Sequence, residues 1–148
     1  MTTNAKIGLA SDHAGFALKQ YVKSYLEAKG VAYEDFGCYD EQSCDYPDFA
    51  HKLGNAIDNG VLKIGIGICG SGEGISMALN KHPKVRAALV WSPEIAHTTR
   101  QHNDANVLVM PGRYISEQTA REIMDVFFST EFEGGRHVRR IEKIPLNL

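Results

Sequence analysis

LKIGIGICGSGEGISMALNKH, residues Leu62 to His82, decides how the rest of the chain is read. Ile64, Ile66 and Ile68 alternate with Gly65 and Gly67, which predicts a short buried strand whose small positions let another layer approach the backbone. Gly70, Gly72 and Gly74 then recur at every second residue, and Ile75, Ala78 and Leu79 follow at helical spacing. The segment reads as strand, glycine loop and helix. Alternating glycines let successive amides point into one concavity, and the next helix adds its unpaired N–H groups and positive dipole end, so the loop is suited to an anion. Cys69, at the junction, would feel the same field, which favours thiolate and makes it a candidate base or nucleophile. The competing reading is a small buried hydrophobe beside a chain turn. Its place at the carboxyl end of a predicted strand, where open α/β sheets bind ligands, favours chemistry.

Two nucleotide-binding patterns are excluded. Gly65, Gly67 and Gly70 match G-x-G-x-x-G in form, but the first two lie inside the strand, and the next strand ends without an acidic residue. No Gly-Lys-Ser/Thr follows the glycines, which removes the phosphate loop of nucleotide hydrolases.

The remaining pattern is regular. Lys6 to Ser11 predicts a first strand, with Asp12 as N-cap of a helix ending at Gly30, and His13 in its first turn could meet an anion. Val31 to Phe36 predicts a second strand, Gly37 to Pro47 a polar loop carrying Tyr46, and Asp48 to Asn59 a second helix. The third helix ends near His82, Val85 to Trp91 gives a fourth strand, Ser92 caps a fourth helix, and Val107 to Met110 gives a fifth strand. Ser116 to Ser129 is the last long helix. Strands and helices alternate with no repeat or linker, so the expectation is one α/β domain over 1–148, a parallel sheet with helices on both faces.

Two polar clusters stand out. Arg100-Gln101-His102-Asn103-Asp104 follows the fourth helix and offers a proton carrier and an amide donor, as acid–base chemistry on a sugar requires. After Gly134 and Gly135, Arg136, His137, Arg139 and Arg140 crowd into five residues, a candidate phosphate clamp; on a helix Arg136 and Arg140 share a face and Arg139 points elsewhere.

Composition narrows the class. With 148 residues, 43% hydrophobic content and a net charge of −2, the chain can bury a core and has no bulk attraction for nucleic acid or anionic membrane. Cys38, Cys44 and Cys69 are odd in number and lack C-x-x-C spacing, against disulfide staples or a zinc site. MTTNAK has no apolar leader and no segment runs long enough to span a bilayer, so the expected compartment is the cytoplasm.

With these residues in place, SDHAGF (Ser11 to Phe16), DYPDFA (Asp45 to Ala50), GICGSGEGISMALNK (Gly67 to Lys81), RQHNDANVL (Arg100 to Leu108), PGR (Pro111 to Arg113) and EGGRHVRRI (Glu133 to Ile141) resemble type B ribose-5-phosphate isomerases, a group that includes allose-6-phosphate and galactose-6-phosphate isomerases. The resemblance implies a Rossmann-like, three-layer sandwich with a five-stranded parallel sheet and a C-terminal helical tail. It also implies a homodimer, or a tetramer of two such dimers, whose active sites are completed by the neighbouring subunit, with no metal or organic cofactor. By residue, it implies that Cys69 moves the proton between C2 and C1 and that the loop Gly70, Ser71, Gly72, Glu73 and Gly74 binds substrate, its amides stabilising the enediolate. His102 would help open the sugar ring, Asp12, His13, Tyr46 and Asn103 would line the substrate, and Arg113, Arg136 and Arg140 would hold the phosphate. Some relatives carry glycine at the cysteine position and a glutamate six residues later; that position is Ile75 here, so the chain resembles the cysteine type and Glu73 is not the base. A six-carbon sugar phosphate isomerase and a non-catalytic sugar-phosphate or nucleotide sensor are the rival readings; Cys69 with His102 counts against the second, since binding alone needs neither.

Overall fold

The Ile/Gly alternation at 64–69 forms the central strand of the protein. The computed structural model describes residues 5–147, in the order β1 (Ile7–Ser11), α1 (Phe16–Ala28), β2 (Tyr33–Asp35), α2 (Tyr46–Asp58), β3 (Ile64–Cys69), α3 (Glu73–Leu79), β4 (Ala87–Leu89), α4 (Pro93–Asn103), β5 (Val107–Pro111), α5 (Glu117–Ser129) and α6 (Arg136–Glu142). All four strand pairings are parallel, and the sheet order is β2-β1-β3-β5-β4. The expected α/β sandwich with a five-stranded parallel sheet and a helical tail is therefore the observed one. Most of the MTTNAK segment lies outside the described residues.

Side-chain alternation sorts the two faces. Ile64, Ile66 and Ile68 join Leu9, Leu108 and Met110 beneath α1 and α5, in a layer with Leu26, Ile123 and Phe127. Cys69 joins Ala10, Val107 and Val109 on the other face, with Leu53 of α2 and Ile75 and Leu79 of α3. Each such buried aliphatic side chain contributes about 1.5–3 kcal/mol. The glycines of β3 are small because α2 and α3 press on them: a β-carbon on Gly65 would stand 2.8 Å from Leu53 Cδ1, and one on Gly67 2.9 Å from Leu79 Cδ1. Overpacking of that kind costs about 1–3 kcal/mol.

Parallel pairing forces every connection to cross the sheet. α1 leads from β1 outward to β2 on one face, and α2 returns on the other to β3, on the far side of β1. The chain thus diverges between β1 and β3, and their carboxyl ends open a crevice at the reversal point.

Boundaries differ from the sequence reading where local chemistry is ambiguous. Asp12 is not the N-cap of α1, which is Gly15; it closes a turn one step earlier, its Oδ1 accepting from the Gly15 N–H at 3.0 Å. Tyr46 is not in the preceding loop but opens α2, because Pro47 suits a helix's first turn as well as a loop. α3 stops at Leu79 rather than near His82. β2 and β4 are three residues each, since each has a partner on only one side.

Candidate active site

The crevice between β1 and β3 gathers one group of the residues singled out by sequence. β3 ends on Cys69, whose side chain is 4% exposed. Its carbonyl accepts from Gly112 N–H at 2.8 Å, and the Gly70 carbonyl accepts from Arg113 N–H at 3.0 Å, so the turn after β5 is tied to the turn after β3. That tie carries Arg113 over the loop: a β-carbon on Gly70 would lie 3.3 Å from an Arg113 guanidinium nitrogen. Gly72 adopts φ +77° as the N-cap of α3, a backbone state that glycine enters without strain. The Ser71 hydroxyl accepts from Glu73 N–H at 3.2 Å, and Glu73 and Gly74 form the first turn of the helix. Gly74 faces the Tyr46 ring so closely that a β-carbon would stand 2.7 Å from the phenol oxygen. Gly70 to Gly74, Tyr46 and Arg113 thus meet beside Cys69.

From the β1 side come Asp12 and His13. Asp12 N–H donates to the Ile68 carbonyl at 3.3 Å, which fixes the end of β1 against β3. The His13 Nδ1 accepts from Cys44 N–H at 3.2 Å, so this ring nitrogen holds the lone pair and Nε2 carries the hydrogen. Nothing in the sequence announces Cys44 as the residue that orients His13, since 31 positions separate them. The Gly37–Cys38 segment pairs with Ser11 in both directions, at 2.7 and 2.8 Å. Beneath it the fully buried Lys19 donates to Asp35 Oδ1 at 2.7 Å and to the Cys38 carbonyl. Burial lowers the Lys19 ammonium below its ordinary range, more than Asp35 restores. Burial alone would raise Asp35, but hydrogen bonds from Lys19, Lys23 and the Gly37 N–H outweigh it and leave the carboxyl lowered. Both groups are thus lowered, which favours the charged form of Asp35 and disfavours that of Lys19, because Asp35 collects three donors whereas the deeper Lys19 has a single carboxylate.

A second group lies elsewhere. α4 starts beyond the carboxyl end of β4 and must run back to the amino end of β5, so its last turn, with His102 and Asn103, sits at the opposite edge of the sheet from Cys69. Eleven residues of helix put about 16 Å between those edges. α6 packs against this end of α4, and His102 stacks on His137 with ring centroids 4.6 Å apart and planes 16° apart. His102, Asn103, His137 and Arg140 line one cleft of about 310 Å³. Arg136 and Arg139 are exposed on the same short helix. The neighbouring Arg100 is buried, spanning Asp104, Ala105 and Thr130, and serves to pin the segment leading to α6. Within one chain the Cys69 group and the His102 group do not meet.

A larger cleft, of about 750 Å³, is also at the amino edge of the sheet, lined by Lys63, Lys84, Arg86 and Asn106 among others, and contains none of the candidate residues. Size does not locate this site; the oriented amides at the strand ends do.

No helix among the described residues is long and apolar enough to cross a membrane. The family model for Ribose/Galactose Isomerase matches residues 7–144. Ribose-5-phosphate isomerase B of Escherichia coli (strain K12) is 40% identical over 139 residues, 94% of this chain and 93% of that protein. A crystal structure of ribose 5-phosphate isomerase from Thermotoga maritima superposes with a TM-score of 0.93 at 50% identity, covering 95% of this chain and 97% of that one. Ribose-5-phosphate isomerase B of Mycoplasma genitalium with bound ribulose-5-phosphate gives a TM-score of 0.89 at 42% identity, covering 94% and 93%. With the match running through both residue groups, the chain belongs to the Ribose/Galactose Isomerase family.

Proposed function

We propose that the chain is a single-domain aldose–ketose isomerase of the cytoplasm that interconverts ribose 5-phosphate and ribulose 5-phosphate. The observation that carries this reading is Cys69, at the end of β3 in the reversal crevice, with the Gly70–Gly74 amides and the first turn of α3 beside it. Proton removal next to a carbonyl develops negative charge on oxygen, so a base beside oriented N–H donors is the required arrangement. The Cys69 thiolate takes the C2 proton of the open-chain aldose; the electron pair forms the C1–C2 double bond, and charge falls on O1, facing the loop amides. Return of the proton to C1, with the O2 hydroxyl proton passing to O1, yields the ketose. Asp12, His13 and Tyr46 line the sugar. Arg113 holds the phosphate, whose binding fixes the reacting carbons in place.

Ring opening falls to His102, with Asn103 on the sugar and Arg136 and Arg140 on the phosphate, all supplied by a second copy of the chain. The separation of Cys69 from His102 within one chain supports this arrangement: the two act on adjacent atoms only if another subunit brings its α4–α6 end to the crevice. Relatives named for ribose 5-phosphate, one of them holding ribulose-5-phosphate, favour the pentose over six-carbon sugar phosphates.

A coupled assay on pentose and hexose phosphates, with EDTA present, tests the substrate; faster turnover of a hexose phosphate overturns the pentose assignment. Subunit mixing tests the shared site. Cys69→Ala and His102→Asn homodimers, each nearly inactive, should regain about a quarter of the unsubstituted activity when exchanged, because half the dimers are mixed and each contains one intact site. No recovery after verified exchange would place both residues in one chain's site.

A further inference from the structure

His102 has two neighbours that the isomerase reading leaves without a task, Glu133 and His137. Among the described residues, these three are the group of metal-type side chains whose ligating atoms all lie within 4.8 Å of one another. Glu133 Oε2 stands 3.9 Å from His102 Nε2, and the two imidazoles lie side by side, nearly parallel. The cluster is built by backbone as well as side chains. Glu133 N–H donates to the Gln101 carbonyl at 3.0 Å, fixing the incoming segment to the last turn of α4. Gly134 and Gly135, at φ +74° and +60°, then reverse the chain so that His137, in the first turn of α6, returns over His102.

We infer that His102, Glu133 and His137 form a binding site for a late first-row divalent cation, of which Zn²⁺ is the representative, and that its occupation inhibits the enzyme. Two imidazole nitrogens and one carboxylate are the donor set of an open zinc site with a fourth position left to water. The set is too poor in oxygen for Ca²⁺ or Mg²⁺, and imidazole draws late transition metals instead. Bonds of about 2.0–2.2 Å in tetrahedral geometry bring donor atoms to about 3.3–3.6 Å of each other, so separations of up to 4.8 Å must tighten by up to about 1.5 Å. His102 and Glu133 have side chains 46% and 57% exposed and are free to rotate that far. Arg140 in the same cleft opposes a bare dication and weakens its binding. Inhibition, unlike binding, rests on the proposed role of His102: a nitrogen lone pair given to the metal is no longer open to a sugar proton.

The test uses the full chain, stripped with EDTA and titrated with Zn²⁺ against a chromophoric chelator, with no substrate present. One Zn²⁺ per chain is expected, with binding weakened about 100-fold or more in Glu133→Gln and in His137→Gln, since loss of a direct ligand exceeds the usual cost of losing its supporting contacts. Cys69→Ala, although inactive, should keep its zinc. Binding that survives both ligand variants, or that disappears with Cys69, overturns the site. If Zn²⁺ saturates the ligand cluster and ribose 5-phosphate conversion continues unslowed, the inhibition is overturned, whereas failure of the metal-free coupled assay bears on the isomerase reading alone.

Discussion

The end of the protein that holds Cys69 and the end that holds His102 are built by different means. Around Cys69 the functional groups hang on strand termini and tight turns, tied to one another by backbone hydrogen bonds: Asp12 to Ile68, Gly112 to Cys69, Arg113 to Gly70. Around His102 they are exposed side chains on the last turn of α4 and the short α6, a helix with no buried residue. The first arrangement is fixed by the fold of one chain and suits a base that must hold one position during proton transfer. The second presents groups outward, as expected of a surface that acts on something beyond its own chain.

The sharpest way to probe this contrast is Cys69→Ala, for which kcat should fall about 10²–10⁴-fold or further while affinity for ribose 5-phosphate changes little. Single-turnover kinetics with equilibrium binding separate the two, and a variant that keeps substantial turnover removes Cys69 as the base.

The next largest effect concerns the scaffold beneath the same end. Asp35→Asn leaves the buried Lys19 ammonium without its carboxylate and should cost about 3–5 kcal/mol of stability by denaturant unfolding. The pH dependence carries a definite sign. Asp35 is lowered in the folded state, so its contribution is present above the ordinary carboxylate range, near pH 4, and is lost as pH falls through the lower folded value. Acid unfolding should accordingly be less steep in Asp35→Asn, and an unchanged acid limb would show that the pair contributes nothing.

At the other end effects should be smaller and fall on binding. Arg140→Ala should raise KM by about 1.5–3 kcal/mol if its guanidinium grips phosphate directly. Arg139→Ala, on a different face of α6, should stay within about 0.5 kcal/mol in both KM and stability. Steady-state kinetics on the pair decide it, and a larger loss at Arg139 would reverse which side of α6 faces the ligand.

How much of this was legible in sequence varies with the range of the forces involved. Alternation in β3, the glycine loop and the α/β alternation could be read directly because each depends on neighbours within a few residues. The N-cap of α1 and the start of α2 could not: Asp12 and the Tyr46–Pro47 pair are compatible with two local structures, and contacts with Gly15 and Gly74 select between them. The Lys19–Asp35 pair gave no signal at all, since an internal lysine on a helix ordinarily reads as a solvated one.

By itself, then, the sequence determined the elements and their alternation, the thiol at the strand's end and the amide-rich loop after it, because hydrophobic period and glycine's backbone freedom act locally. Tertiary structure alone decided the sheet order, the placing of the reversal between β1 and β3, the orientation of His13 by Cys44, and the distance between Cys69 and His102. Those follow from which strands pair and on which face each helix returns, a choice made by packing among residues far apart in the chain.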